Sequence, residues 1–123
     1  MDRSQLAARA HTAEILAREA GRLALDLRDG GLGLRVQRKG PQDIVTAADV
    51  AVERMLVAAL RARFPGDAFL GEEGGSIDVG ASAPCWVIDP IDGTSNFARG
   101  LPHWCVALAL VVAGRTEVGV IHE

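Results

Sequence analysis

The sequence predicts an α+β fold, a mostly antiparallel sheet with two packing helices. Two stretches, 3–29 and 46–64, space their apolar residues at helical intervals. From Trp104 to Ile121 the chain reads as two apolar strands joined by the turn Ala113-Gly114-Arg115. Two shorter apolar runs, Ala68-Phe69-Leu70 and Trp86-Val87-Ile88, each lead into acids and glycines. At 123 residues the chain can bury one core, so one domain is the ceiling.

In the first helix, Leu6, Ala10, Ala13, Leu16, Ala20, Leu23, Ala24 and Leu27 form one stripe, and Gly30-Gly31 ends it. It is a packing helix with no sign of chemistry. Leu34, Val36 and Arg38 alternate as a short strand before the turn Lys39-Gly40-Pro41. The second helix opens at Thr46, and Thr46-x-x-Asp49 has the form of a capping box. Val52, Met55, Leu56, Ala59, Leu60 and Phe64 give it a buried face, and Pro65-Gly66 stops it. Residues 74–84 are small and polar, which predicts a mobile loop.

Composition narrows the function. Hydrophobic content of 49% and charged content of 24% are ordinary for a globular domain. A net charge of −3, without a run of Lys or Arg, argues against nucleic acid as a partner. The longest apolar run, Trp104 to Ala113, is far short of the roughly 20 residues of a membrane span, so no membrane partner is expected. Glu14, Glu19 and Asp26 interrupt the N-terminal apolar pattern, which is therefore no secretory signal. Cys85 and Cys105 form no CxxC pair and read as reduced, half-buried thiols, consistent with a cytoplasmic protein.

The chemistry concentrates in Asp89-Pro90-Ile91-Asp92-Gly93-Thr94-Ser95-Asn96. Asp89 is expected to close the strand, Pro90 cannot donate to a ladder, and Asp92-Gly93 marks a sharp turn. Thr94, Ser95 and Asn96 are suitable caps for a helical turn. Two carboxylates beside free helix-start N–H groups suit a hard cation together with an anion, such as a metal-bound phosphate. The same residues also make an ordinary turn, and Gly71-Glu72-Glu73-Gly74 reads equally as a solvated one. Asp49 on its own is explained by capping. His11 reads as a solvent or boundary residue, Trp86 and Trp104 as core, and His122-Glu123 lacks the second His of a zinc motif.

Three segments in order remove that ambiguity. Lys39-x-x-x-Asp43-Ile44-Val45-Thr46-x-x-Asp49, Gly71-Glu72-Glu73 and Trp86 to Phe97, with Gly100-x-Pro102 before an apolar strand, resemble the inositol monophosphatase family of magnesium-dependent, lithium-sensitive phosphatases. The resemblance implies a layered α/β sandwich of the sugar-phosphatase type. It implies two or three Mg2+ ions, inhibition by Li+, a small phosphorylated substrate and a homodimer. By resemblance, Glu72, Asp89 and the Ile91 carbonyl are ligands of a first magnesium, and Asp89 and Asp92 of a second. Asp49 serves a third position. Glu72 and Thr94 match the catalytic pair that orients the attacking water. Gly93, Thr94 and Ser95, beside Asp92, match the phosphate cradle, while Lys39 and Glu73 match accessory residues near the metals. Ser95 stands where threonine is common, a mild change if its backbone N–H does the work.

Family members run well beyond this length, so the chain is expected to be the N-terminal half of such an enzyme. It would be one partial domain over residues 1–123, inactive or nearly so alone. Inositol monophosphate is the default substrate, with histidinol phosphate, a 3′-phosphoadenosine nucleotide or fructose bisphosphate as alternatives. A reading of another class is a non-catalytic interaction module that offers the open sheet from Trp104 to Ile121 to a partner.

Overall fold

The structure, a computed structural model, describes residues 1–29, 37–38, 44–72, 76–77 and 83–123, with backbone alone for 37–38, 44–45 and 76–77. Helix α1 (Arg3–Asp29) buries Ala13, Leu16, Ala17, Ala20, Gly21 and Ala24. Apart from Leu16 these residues have small side chains or none, which lets the helix come close to its neighbours. A Cβ on Gly21 would stand only 3.0 Å from the His122 ring. Helix α2 (Ala47–Arg63) buries Val52, Leu56 and Leu60, and its two largest flanking residues, Met55 and Phe64, are half-covered. Each fully buried Leu- or Ile-sized side chain is worth about 1.5–3 kcal/mol.

Strands β1 (Gln37–Arg38) and β2 (Ile44–Val45) pair antiparallel as a small separate ladder. The main sheet holds β3 (Ala68–Gly71), β4 (Ser76–Ile77), β5 (Cys85–Asp92), β6 (Cys105–Val112) and β7 (Arg115–His122), in the order β4-β3-β5-β6-β7. Among the described strands only β3 and β5 run parallel, and the other neighbouring pairs are antiparallel. A third, short helix, α3 (Thr94–Ala98), follows β5. The fold is thus α+β, with a mostly antiparallel sheet and two long packing helices.

Both long helices cover one face of the sheet, α1 against β6 and β7 and α2 against β5. Register explains which residues meet them. Trp86 opposes Leu110 and Ile88 opposes Leu108, and all four are buried. The residues between them face the other way: Val87, Ala107, Ala109 and Ile121 form an outer face that includes a groove reaching Asp89. Ile121 is 71% exposed there. Among the described residues no helix is long and apolar enough to cross a membrane.

Three local expectations need correction. The strand from Trp86 does not close at Asp89; it continues to Asp92, which pairs with Cys105. The ladder shifts register between Asp89 and Asp92, so an irregularity takes up Pro90 without ending the pairing. Thr94, Ser95 and Asn96 are not caps. Gly93 caps α3 with no side-chain bond, and Thr94 is the first helical residue. Within the expected loop 74–84, Ser76–Ile77 pair with Phe69 and Leu70 as β4, and most of the remainder lies outside the described residues.

Candidate active site

The site begins with a parallel pair of strands. Gly71 on β3 is in register with Ile88 on β5, so Glu72, just past the end of β3, and Asp89, within β5, come side by side along the same direction. Helix α2 brings Asp49 to the same end. Its cap is reciprocal: the Thr46 hydroxyl accepts from the Asp49 N–H at 3.3 Å, and the Thr46 N–H donates to Asp49 Oδ1 at 2.8 Å. The Thr46 hydroxyl also donates to Oδ1. Asp49 is almost wholly buried, and its other oxygen, Oδ2, accepts from the Thr94 hydroxyl at 2.9 Å. That hydroxyl also lies 2.9 Å from the Ile91 carbonyl oxygen, a second acceptor for its one proton. Asp49, Thr94 and Ile91 are thereby joined in one cluster.

Asp89 is the electrostatic centre. Burial first, and then the charges of Glu72 and Asp92, push its carboxyl up to about 7 from the ordinary 3.8. A hydrogen bond with Glu72 and the charge of Asp49 add to the effect. Asp89 Oδ1 is buried with no hydrogen-bond partner. A hard cation would satisfy that orphaned oxygen and offset the crowded negative charge, and the oxygen-only donors Glu72, Asp89, Asp92, Asp49 and the Ile91 carbonyl suit magnesium better than zinc. As they stand, no three His, Cys, Asp or Glu side chains among the described residues are gathered tightly enough to hold one ion.

Asp92 is exposed, and the Cys105 thiol points to its Oδ2 at 3.9 Å. Burial, then the charges of Asp92 and Asp89, raise the Cys105 thiol above its ordinary value. Neither Cys85 nor Cys105 is in a disulfide. A cavity of about 280 Å3 opens here, lined by Asp92, Gly93, His103, Trp104, Cys105 and Glu123. Gly93 has φ +86°, in the left-handed region, and a Cβ on it would meet the His103 carbonyl oxygen at 2.8 Å. Both facts demand glycine. The N–H groups that open α3, at Thr94 and half-buried Ser95, follow directly.

Helix α3 is held from behind. The Arg28 Nη1 donates to the Phe97 carbonyl at 3.3 Å, and its guanidinium lies 5.0 Å from the Phe97 ring centre. Trp104 meets the same ring edge-on at 4.8 Å. Sequence reasoning gave α1 no part in the site, because an arginine at a helix end looks like a solvated charge. It also passed over Glu53, a buried carboxylate on α2. The signal for Glu53 was available, an acid inside the apolar stripe of Val52 and Leu56, four residues after Asp49. Lys39 and Glu73 lie outside the described residues.

The chain matches the model of the inositol monophosphatase family over residues 3–123. It belongs to that family. Pig (Sus scrofa) inositol monophosphatase 1 is 37% identical over 111 residues, which cover 88% of this chain and 40% of that protein. The Nus factor SuhB of Pasteurella multocida is 39% identical over 107 residues, covering 87% and 40% respectively. The crystal structure of the extragenic suppressor protein SuhB from Bartonella henselae superimposes with a TM-score of 0.87 at 34% identity, over 93% of this chain and 44% of that one. The chain therefore spans about 40% of the length of the curated relatives it matches. The relatives it matches include proteins named inositol monophosphatase and proteins named SuhB. The expectation that nucleic acid plays no part draws no support from relatives that bear the name Nus factor.

Proposed function

We propose that the chain contributes the metal- and phosphate-handling residues of a magnesium-dependent phosphatase of small phosphomonoesters, inositol monophosphate by default. The observation that supports this best is the buried, unpaired Oδ1 of Asp89 among the carboxylates of Glu72, Asp92 and Asp49. Glu72, Asp89 and the Ile91 carbonyl would hold one magnesium, Asp89 and Asp92 a second, and Asp49 would serve a third. Bound magnesium supplies Lewis acidity and offsets charge on the phosphoryl oxygens.

The chain's own groups do the rest. Thr94 donates a hydrogen bond to Asp49 and accepts one from an O–H of the attacking water, so that the water is held by its hydrogen without losing it there. Glu72 accepts from the other O–H and takes that one proton as the water oxygen bonds to phosphorus and the ester P–O bond breaks. The N–H groups of Gly93, Thr94 and Ser95 hold the phosphoryl oxygens. Histidinol phosphate, a 3′-phosphoadenosine nucleotide and fructose bisphosphate fit the same residues, since metal and phosphate are common to all. Lithium inhibition, a homodimer and a cytoplasmic setting belong to the same reading.

The test is phosphate release from these substrates by the product of the complete reading frame, with magnesium, with and without lithium. Release that needs magnesium and falls with lithium is expected. Release indifferent to magnesium overturns the proposal. A second reading, a non-catalytic interaction module, is favoured by the exposed Leu70, Val87 and Ile121 on the outer sheet face. Absence of any release from all four substrates selects it.

A further inference from the structure

Glu53 lies one helical turn beyond Asp49 on α2 and is only 4% exposed. A carboxylate is seldom buried so deeply, since a methionine or leucine fills the same space without loss of hydration. It is not without partners there. Its position against β3 is more telling. A Cβ built on Gly71 would lie 2.6 Å from Glu53 Cδ and 2.9 Å from Oε2. The carboxyl group thus occupies the space that any side chain on Gly71 would need, and it lies directly on the strand backbone. Gly71 is the residue before Glu72, and it is in register with the residue before Asp89.

We infer that Glu53 is a positioning residue: its carboxyl group, seated on Gly71, fixes the end of β3 so that Glu72 meets Asp89. The role in cation binding rests on the phosphatase reading above. Asp49 and Glu53 then divide the work of one helix face, the first joined to Thr94 and the second setting the strand that carries Glu72. Gly71 is glycine for want of room rather than for its backbone angles.

The test compares, in the product of the complete reading frame, wild type with Glu53→Gln, Glu53→Ala, Gly71→Ala and the double variant Glu53→Ala/Gly71→Ala. Magnesium is titrated by calorimetry, and melting temperatures are read in metal-free buffer. Glu53→Gln keeps the shape and is expected to bind magnesium within about threefold of wild type. Glu53→Ala and Gly71→Ala are each expected to weaken binding by about 10–100-fold. The double variant should be no worse than either single one, because both act through one contact. Without metal, Gly71→Ala should melt lower than wild type, and adding Glu53→Ala should recover part of that loss.

Wild-type affinity in Gly71→Ala, losses that multiply in the double variant, or a Gln variant as weak as the Ala variant each overturn the inference. No recovery in the metal-free melts overturns the contact itself, even if Glu53→Ala is poorly folded. Failure of the wild-type product of the complete reading frame to bind magnesium removes the cation-binding role along with the reading it depends on, while the metal-free melts still decide the contact.

Discussion

Arg9 grips Asp67 with two parallel bonds, Nε to Oδ2 and Nη2 to Oδ1, each 2.8 Å long and spanning 58 positions of sequence. The Asp67 side chain is almost fully buried, and its Oδ2 also accepts from the Trp86 indole N–H at 3.0 Å. The Arg9 guanidinium lies 4.4 Å from the centre of the Phe64 ring, which in turn stacks on Trp86. One carboxylate therefore ties the start of α1 to the end of α2 and to the start of β5. Asp67→Ala leaves Arg9 and the indole without their acceptor, and is expected to cost about 3–5 kcal/mol in urea denaturation. Arg9→Lys should recover little, because an ammonium cannot make the two-pronged contact or stack as well.

Gly93→Ala forces a side chain into a left-handed backbone and against the His103 carbonyl. The expected loss is about 1–3 kcal/mol of stability. Phosphate or substrate affinity should fall with it, read by equilibrium binding at a temperature where the variant remains folded.

The raised carboxyl of Asp89 gives the metal-free protein a pH dependence of definite sign. With a folded value near 7 against an ordinary 3.8, the folded state holds more protons than the unfolded one between those limits. Its contribution to stability is present at low pH and is lost as pH rises toward 7. Asp89→Asn removes that slope, so the stability difference between wild type and variant should shrink or reverse in sign across about pH 4 to 7 in chelator-treated buffer. Magnesium should restore the wild type at neutral pH and leave the variant largely unaffected. Denaturation curves of the two proteins that run parallel with pH would contradict this.

Thr46→Ala removes a cap and one of the groups that hold Asp49, for an expected loss of about 1–2 kcal/mol. Thr94→Val takes the hydroxyl donor from the buried Asp49 Oδ2, for an expected loss of about 1–3 kcal/mol. In the product of the complete reading frame it should lower phosphate release by about 100-fold or more, whereas Thr94→Ser should keep most of it. Equal effects of Thr94→Val and Thr94→Ser would show that the hydroxyl is not the working part.

The parts legible in the sequence are those decided locally. The Thr46-x-x-Asp49 box, the apolar stripe of α1 and the hairpin turn at Ala113-Gly114 each state their structure within a few residues, and each formed as expected. The extension of β5 through Pro90 was hidden, because it depends on β6 supplying a partner for Asp92. Gly93 was read as part of a turn, but the approach of the His103 backbone, ten residues on, which leaves no room for a Cβ there, could not be read locally. Arg9 and Arg28 lie off the apolar stripe of α1, and their distant partners leave no mark on the surrounding letters, whereas Glu53 stood beside the apolar stripe of α2 and was passed over. In the site, the acids could be found from their segments. The bond from Thr94 to Asp49 could not, as it joins residues 45 apart.

The outer face of the sheet shares its groove with Asp89. Hydration of Val87, Ala107 and Ile121 therefore also sets the local dielectric around that carboxylate. Anything that dries this aliphatic surface strengthens every charge interaction at the strand ends, and anything that leaves it wet weakens them. Substitutions at Ile121, far along the chain from the acids, should accordingly tune how firmly they hold a cation.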